Sequence, residues 1–445
     1  MREDRLEYYD PLYETITFEK GLPSDRAGFR LEEEDPLDPR DIIQTAEFAR
    51  LAFLKQAGLA WLVFPSATHS RFAHSVGCWW LGRISETLIK VKTKGKRETN
   101  SLRTWLNTTK LREEFYLGLL LHDIGHGPLS HVLEQNDKFI NGLQQAGIKR
   151  VDHEHRGALL FKVEGPLAKT WQAIVKKRYG SNMRTFVHVK RDLEKLKETV
   201  CLPAVCYLMT EDNVYLDKCS HPHKQCLPVV KDLITGVLDL DRLDHYARDS
   251  YFSGLHQISI NLRGFLNNLK IILPEHESVN ETKRALWALT EDGASYAASL
   301  LFNKRLLLST MFRNPRSVAY HAMANWALTA YLDDLVDPAS LANECLRIAL
   351  MEDEQLLGMF GNARHEGCQY IGQSIHAMRP YYFVGKWSNI DIKVEHITLR
   401  NRLDNLVNTL NIYNKRPEVL IHHDEGFWEW APHTPQDWLG AEWLI

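Results

Sequence analysis

The stretch EEFYLGLLLHD at residues 113–123 limits what this chain can become more than any other. It reads as an apolar helix that ends on adjacent His122 and Asp123, and Gly125, Gly127 and Pro128 then break it. A helix this apolar belongs inside a protein, so it carries the His-Asp pair to a buried helix end. An ionised Asp in such surroundings is costly unless it is paired or coordinates a cation. A metal ion accounts for the pair. Imidazole with carboxylate suits a first-row transition ion, and carboxylate with water also suits Mg²⁺.

His74 in SRFAHS (70–75) and Asp241 in DLDRLDHYARD (239–249) complete a set of two His and two Asp. His126 follows His122 by four residues, and the glycines around it imply a bend that re-aims it. With His131 and His153 it lines the mouth of such a site. One of these histidines positions or activates water, and another protonates a leaving oxygen near neutral pH. The His-Asp dipeptide alone means little among 20 histidines. HDIGHGP inside an apolar helix, between the other two segments, is a specific combination.

Around this core the pattern is mainly helical. Residues 1–40 read as an extended or strand-containing arm, since Pro11 and Pro36 disfavour helix at and before themselves. Helical spacing marks 42–58 and 70–90, followed by a polar, basic loop over 90–112. Pro128 is placed to open a helix. Residues 150–200 are helical and rich in Lys and Arg, the pattern dissolves over 201–228, and a helix resumes over 230–249. Long helices are expected at 283–309, 317–335 and 339–357. Strand-like alternation appears only at 381–384 and 391–397, in a stretch that holds Trp387, Trp428, Trp430, Trp438 and Trp443. These tryptophans suit a small lobe or an oligomer interface better than base stacking.

A net charge of −3 offers no global field for nucleic acid or anionic membrane. The basic runs at 90–112 and 176–197 read as solvated faces. No apolar run is long enough to span a bilayer, and 7 sparse cysteines point to a reducing, cytoplasmic setting. Cys201, Cys206, Cys219 and Cys226, with His221 and His223 between them, form a local cluster without a CxxC pair. Ordinary free thiols are the leading reading there and a structural zinc the minor one.

In LAFLKQAGLAWLVFPSATHSRFAHSVG (51–77), LLLHDIGHGPLSH (119–131) and LDLDRLDHYARDSYFSG (238–254) the chain resembles the HD-domain superfamily. Within it, the similarity is to the deoxynucleoside triphosphate triphosphohydrolases, including dGTPase-like enzymes and the sterile-alpha-motif HD dNTPases. The resemblance implies a helical HD phosphohydrolase domain at 41–335, with the arm at 1–40 and a helical and mixed lobe at 336–445. It implies metal ligands His74, His122, Asp123 and Asp241, for Mn, Fe, Zn or Ni, with Mg accompanying the substrate phosphates. It places His126, His131 and His153 on the scissile phosphate and water, and Arg71 and Arg242 on phosphates. Asp249 faces the sugar and Gln56 the base and sugar. The products would be nucleoside and triphosphate, and a homo-oligomer is implied.

The departures fall on the sugar side. His245 stands where a sugar-stacking Tyr is usual, with Tyr246 one residue later, and a second Tyr is replaced by Ala319 or displaced to Tyr320. A ribonucleotide, a nucleoside monophosphate or a signalling nucleotide therefore stays open as substrate, as does a non-catalytic nucleotide-binding module. The Asp and Arg that hold an activating guanine nucleotide in animal relatives fall on Gln44 and Ala52, which implies no GTP requirement through that site.

Overall fold

The computed structural model describes residues 5–19, 39–94, 99–162, 165–180, 183–195, 200–236, 239–255, 260–273 and 286–380. The expected strands at 381–384 and 391–397 and the five C-terminal tryptophans lie outside them. The described architecture is mainly α, with one two-stranded and one four-stranded sheet. None of the described helices is long and apolar enough to cross a membrane.

At the centre lies the Arg71–Leu88 helix, started by Ser70, whose side chain accepts from the Ala73 amide. Most of its residues are buried, on every face. It packs against the Arg112–Leu121 and Leu240–Ser253 helices, the two that deliver the other candidate ligands. The Arg112–Leu121 helix in turn meets Leu202–Thr210. There Gly118 lies so close that an added Cβ would press on Leu208 and Ile234. A helix surrounded in this way loses its stripe, which explains why 201–228 looks patternless: LPAVCYLM is apolar almost all round.

The arm is an antiparallel hairpin, Arg5–Asp10 with Glu14–Glu19. Its alternation puts Ile16 and Phe18 inside, where Phe18 stacks on Trp79 of the central helix.

Several expected elements are divided differently. Residues 42–58 do not form one helix. Thr45 caps a fresh start at Ala46–Arg50 by accepting from the Phe48 amide, and Leu54 is extended. The chain then bridges Lys55 to Ser70. The exchange Gln56 N–H to His69 C=O and Arg71 N–H to Leu54 C=O, 3.0 and 2.9 Å, lays the segment beside the start of the central helix. The 90–112 loop is a strand, Lys90–Thr93, a second strand, Thr99–Ser101, and a helix, Leu102–Thr109. Val91, Leu102 and Leu106 are buried, and Lys90–Thr93 pairs in parallel with Leu269–Leu273. The 230–249 helix is two, Leu227–Ile234 and Leu240–Ser253, because Asp239 caps the second. The 283–309 stretch gives a strand, Leu286–Leu289, before the Glu291–Leu307 helix, and 339–357 spans parts of two helices, Pro338–Ile348 and Asp353–Gly361.

Pro128 opens no helix. Leu129 and Ser130 both take left-handed backbone, φ 59° and 58°, before a single 3-10 stretch over Ser130–Gln135. Such conformations cost of order 1–3 kcal/mol each for residues with a side chain and persist only where neighbours impose them. Here Asp353 accepts from the Leu129 amide at 2.7 Å, and Arg71 donates to the Ser130 hydroxyl at 2.7 Å.

Candidate metal and histidine centre

The central helix carries His74, the end of Arg112–Leu121 carries His122 and Asp123, and the first turn of Leu240–Ser253 carries Asp241. Of these, His74, His122 and Asp241 come together with Cys78 in one group of metal-binding size, and Asp123 stands beside it. The Nε2 atoms of His74 and His122 stand 3.2 Å apart, and Asp241 Oδ1 lies 3.0 Å from the first and 3.6 Å from the second. Asp123 reaches within 3.6 Å of His122 and 3.9 Å of His74.

Both rings have their other nitrogen engaged. His122 Nδ1–H donates to the Leu119 carbonyl at 2.8 Å, and His74 Nδ1–H donates to Asp244 at 2.7 Å. In the neutral rings both Nε2 lone pairs therefore face each other and two carboxylates. A cation between them resolves that repulsion, and this orientation of ligating imidazoles by a carbonyl and a carboxylate is the usual support for a bound metal. Electrostatics tell the same story. Burial alone would keep His74 neutral, yet Cys78, Asp241 and Asp244 raise its pKa well above the usual range. The carboxylates call for positive charge at Nε2, whether a proton or a cation, and imidazoles with carboxylate suit a divalent ion.

A second group adjoins the first. His126, His131 and His153 present ring nitrogens to one another, with His126 and His153 stacked at 3.7 Å between centroids. Asp123 Oδ1 is shared, 3.5 Å from His126 and 4.0 Å from His153. The stack depends on Gly125, where a Cβ would overlap the His153 carbonyl and the Gly157 backbone. Glu134 joins the trio from the side, accepting from His131 Nδ1 at 2.9 Å and His153 Nδ1 at 3.0 Å.

The trio is electrically split. Burial and the Arg71 charge push the His126 pKa well down. Burial also opposes charge on His153, but Glu134, Glu154 and Asp123 outweigh it and lift the pKa to about 9. A neutral imidazole thus lies on an imidazolium, the separation of acid from base that proton-transfer sites use. His126 Nδ1 is buried and has no hydrogen-bond partner.

The remaining predicted residues divide. Arg71 is buried and committed to Asp123 at 2.5 Å and to Ser130. Arg242 sits on the rim, paired with its own cap residue Asp239 at 2.6 Å. Gln56, His245 and Asp249 form one chain: Gln56 Nε2 to His245 Nδ1 at 3.2 Å, then His245 Nε2 to Asp249 Oδ2 at 3.1 Å. His69 closes it at 2.6 Å from Asp249 Oδ1. His245 also lies parallel to Phe312 and 6.2 Å, centroid to centroid, from His74. Tyr246 is buried beside His245, and Tyr320 packs into the apolar core. Gln44 and Ala52 are exposed.

Cys201 and Cys219 meet with sulfurs 3.4 Å apart. Among the described residues Cys206 and Cys226 do not join them in a metal-sized cluster, and His221 binds the Lys110 carbonyl instead. All seven cysteines are free thiols.

Sequence reasoning did not single out Cys78, Asp244, Glu134 or His69. Three carried a faint signal in helical or turn spacing: Cys78 is four residues after His74, Asp244 three after Asp241, and Glu134 three after His131.

No protein-family model matches the chain. It is 26% identical over 242 residues to the deoxynucleoside triphosphate triphosphohydrolase SAMHD1 of Mus musculus, a match that covers 54% of this chain and 33% of that protein. It is 29% identical over 217 residues to the uncharacterized protein YwfO of Bacillus subtilis (strain 168), over 48% of this chain and 36% of that one. The chain spans about a third of the length of these curated relatives. Among solved structures, a phosphohydrolase from Bacteroides thetaiotaomicron VPI-5482 shares the fold with a TM-score of 0.54 at 19% identity, covering 92% of this chain and 84% of that one.

Proposed function

The chain is an HD-domain protein of the dNTP triphosphohydrolase-like family, and from that premise we propose that it cleaves a nucleoside triphosphate into nucleoside and inorganic triphosphate. The observation that carries the reading is the joint arrangement of two groups. His74, His122, Asp123 and Asp241 converge, and Asp123 also borders the stacked His126 and His153. A divalent ion held by the first four residues supplies Lewis acidity toward phosphate oxygens and lowers the pKa of water.

The chain's own groups do the rest. His126, held neutral and with Nδ1 unpartnered, accepts a proton from the water that attacks the α-phosphorus. The solvent-facing His131 gives a proton to the departing 5′-oxygen, beside His153, which Glu134 keeps cationic. Arg242 on the rim takes the phosphate tail. Half-buried Lys304 assists it, lying within electrostatic reach of Arg242, with its pKa lowered by burial and that neighbour. The chain of Gln56, His245, Asp249 and His69 faces the nucleoside, where Gln56 Oε1 and His69 Nδ1 are buried without partners. Buried polar atoms of this kind discriminate strongly among hydroxyl patterns.

One observation favours a second reading of the substrate. His245 hydrogen-bonds Gln56 and lies 3.1 Å from Asp249 where a phenol would stand, so a ribonucleotide is the alternative. The test is incubation of metal-reconstituted protein with each dNTP, NTP and NMP, with chromatographic product analysis. Inorganic triphosphate and nucleoside are the expected products. Orthophosphate or pyrophosphate release, or no turnover of any nucleotide, contradicts the reading.

A further inference from the structure

We propose that the N-terminal hairpin belongs to the metal centre's support: Asp10 and Tyr13 are positioning residues that, through Asp244 and Arg248, hold the His74 imidazole toward a divalent cation. The proposal rests on the four-ligand reading above.

The contacts form a closed chain from ligand to hairpin. Asp244 Oδ2 accepts from His74 Nδ1 at 2.7 Å and from Arg248 Nε at 2.8 Å. Its Oδ1 accepts from Arg248 Nη2 and from the Tyr13 hydroxyl, each at 2.8 Å. The third guanidinium nitrogen, Arg248 Nη1, donates to Asp10 Oδ2 at 2.7 Å. Asp10 Oδ1 meanwhile accepts from the Leu12 and Tyr13 amides, at 2.9 and 3.3 Å. One carboxylate therefore shapes the hairpin turn, presents Tyr13 and anchors both to the helix under the ligand.

The physics gives each member a task. A guanidinium that grips a carboxylate with two nitrogens competes with an imidazole for the same charge. Asp10 draws part of the Arg248 charge to itself, which leaves Asp244 negative enough to hold the His74 Nδ1–H. Tyr13 restrains the rotation of Asp244. His74, Asp244 and Arg248 are wholly buried, so misalignment cannot be relieved by water. Two further observations point the same way. Gly77 on the central helix leaves room for the pair, since a Cβ there would run into both Asp244 and Arg248. The hairpin also grips that helix on both sides of His74, with Tyr8 against Phe72 at 5.3 Å and Phe18 on Trp79 at 4.4 Å.

The test is Mn²⁺ titration of the chelator-stripped full chain by calorimetry. Asp10→Asn and Tyr13→Phe should each weaken Mn²⁺ binding roughly 10-fold, the scale seen when groups behind a ligand are altered. Ile16→Val trims a buried contact of the same hairpin without touching the chain of polar groups, and should bind within twofold of wild type. The proposal is overturned if Asp10→Asn and Tyr13→Phe bind like wild type, or if Ile16→Val weakens binding as much as they do. Tyr13→Phe removes one hydroxyl and decides the matter alone if Asp10→Asn does not fold. His122→Ala separates the two readings. Unchanged Mn²⁺ affinity in that variant removes the metal site itself, whereas loss of binding there with intact affinity in the hairpin variants removes only the hairpin's part.

Discussion

His131 differs from its two partners in exposure: its side chain is 57% accessible, against 16% for His153 and 2% for His126. It is tied to Glu134 and groups with His126 and His153 rather than with His74, His122 and Asp241. His131→Ala should therefore retain metal while turnover falls by roughly 100-fold or more, as for loss of an acid-base group. Metal content and kcat measured on the same preparation check this, and a variant at wild-type speed makes His131 structural. At this scale much was legible in the sequence, because His, Asp and Gly announce their chemistry at short spacing. Asp244 and Arg248 were not, since an acid and a base four apart on a helix look like any surface pair. Only the fold shows that they are buried behind His74.

At the scale of elements, the turn from His122 to Gln135 holds the site's shape. Asp353, from the Asp353–Gly361 helix far along the chain, accepts the Leu129 amide at 2.7 Å and the Lys55 amide at 2.8 Å. It thereby ties the strained turn to the segment that carries Gln56. Asp353→Ala leaves two backbone donors without their acceptor, and should lower stability by about 2–4 kcal/mol. Denaturant unfolding measures this, and a change under about 0.5 kcal/mol contradicts the tie. The sequence showed that the 113–123 helix breaks after Asp123, but not how. Pro128 suggested a helix start, and two left-handed residues cannot be read from Leu129 and Ser130, which have no preference for that conformation. The 42–58 segment misled for a related reason. Its apolar spacing is helical, but the tertiary bridge from Lys55 to Ser70 overrides it.

For the whole molecule, the helical fold class followed from long apolar periodicity, while the small sheet escaped notice because its strands come from distant segments at 90–101 and 269–289. Burying so many helices leaves acids inside the body. Burial raises Glu47 and Glu114 to about 7, against which each accepts a backbone N–H, from Phe186 and Cys201 respectively. A carboxyl raised in the folded state binds its proton more tightly there than in the unfolded chain. Its stabilisation is full below the unfolded pKa and is lost as pH rises through about 7. Wild-type stability should thus fall between pH 5 and 8, with Glu114 contributing about 1–3 kcal/mol of the fall. Glu114→Gln should flatten that slope in denaturant unfolding at the two pH values, and an unchanged slope contradicts the assignment. Hydrolysis is proposed to depend on one metal centre held by His74, His122, Asp123 and Asp241. The most direct measurement is metal content by elemental analysis, paired with nucleotide turnover, for wild type and Asp123→Ala prepared side by side. The variant should lose both bound metal and hydrolysis; full metal occupancy with unchanged turnover would rule out the shared centre.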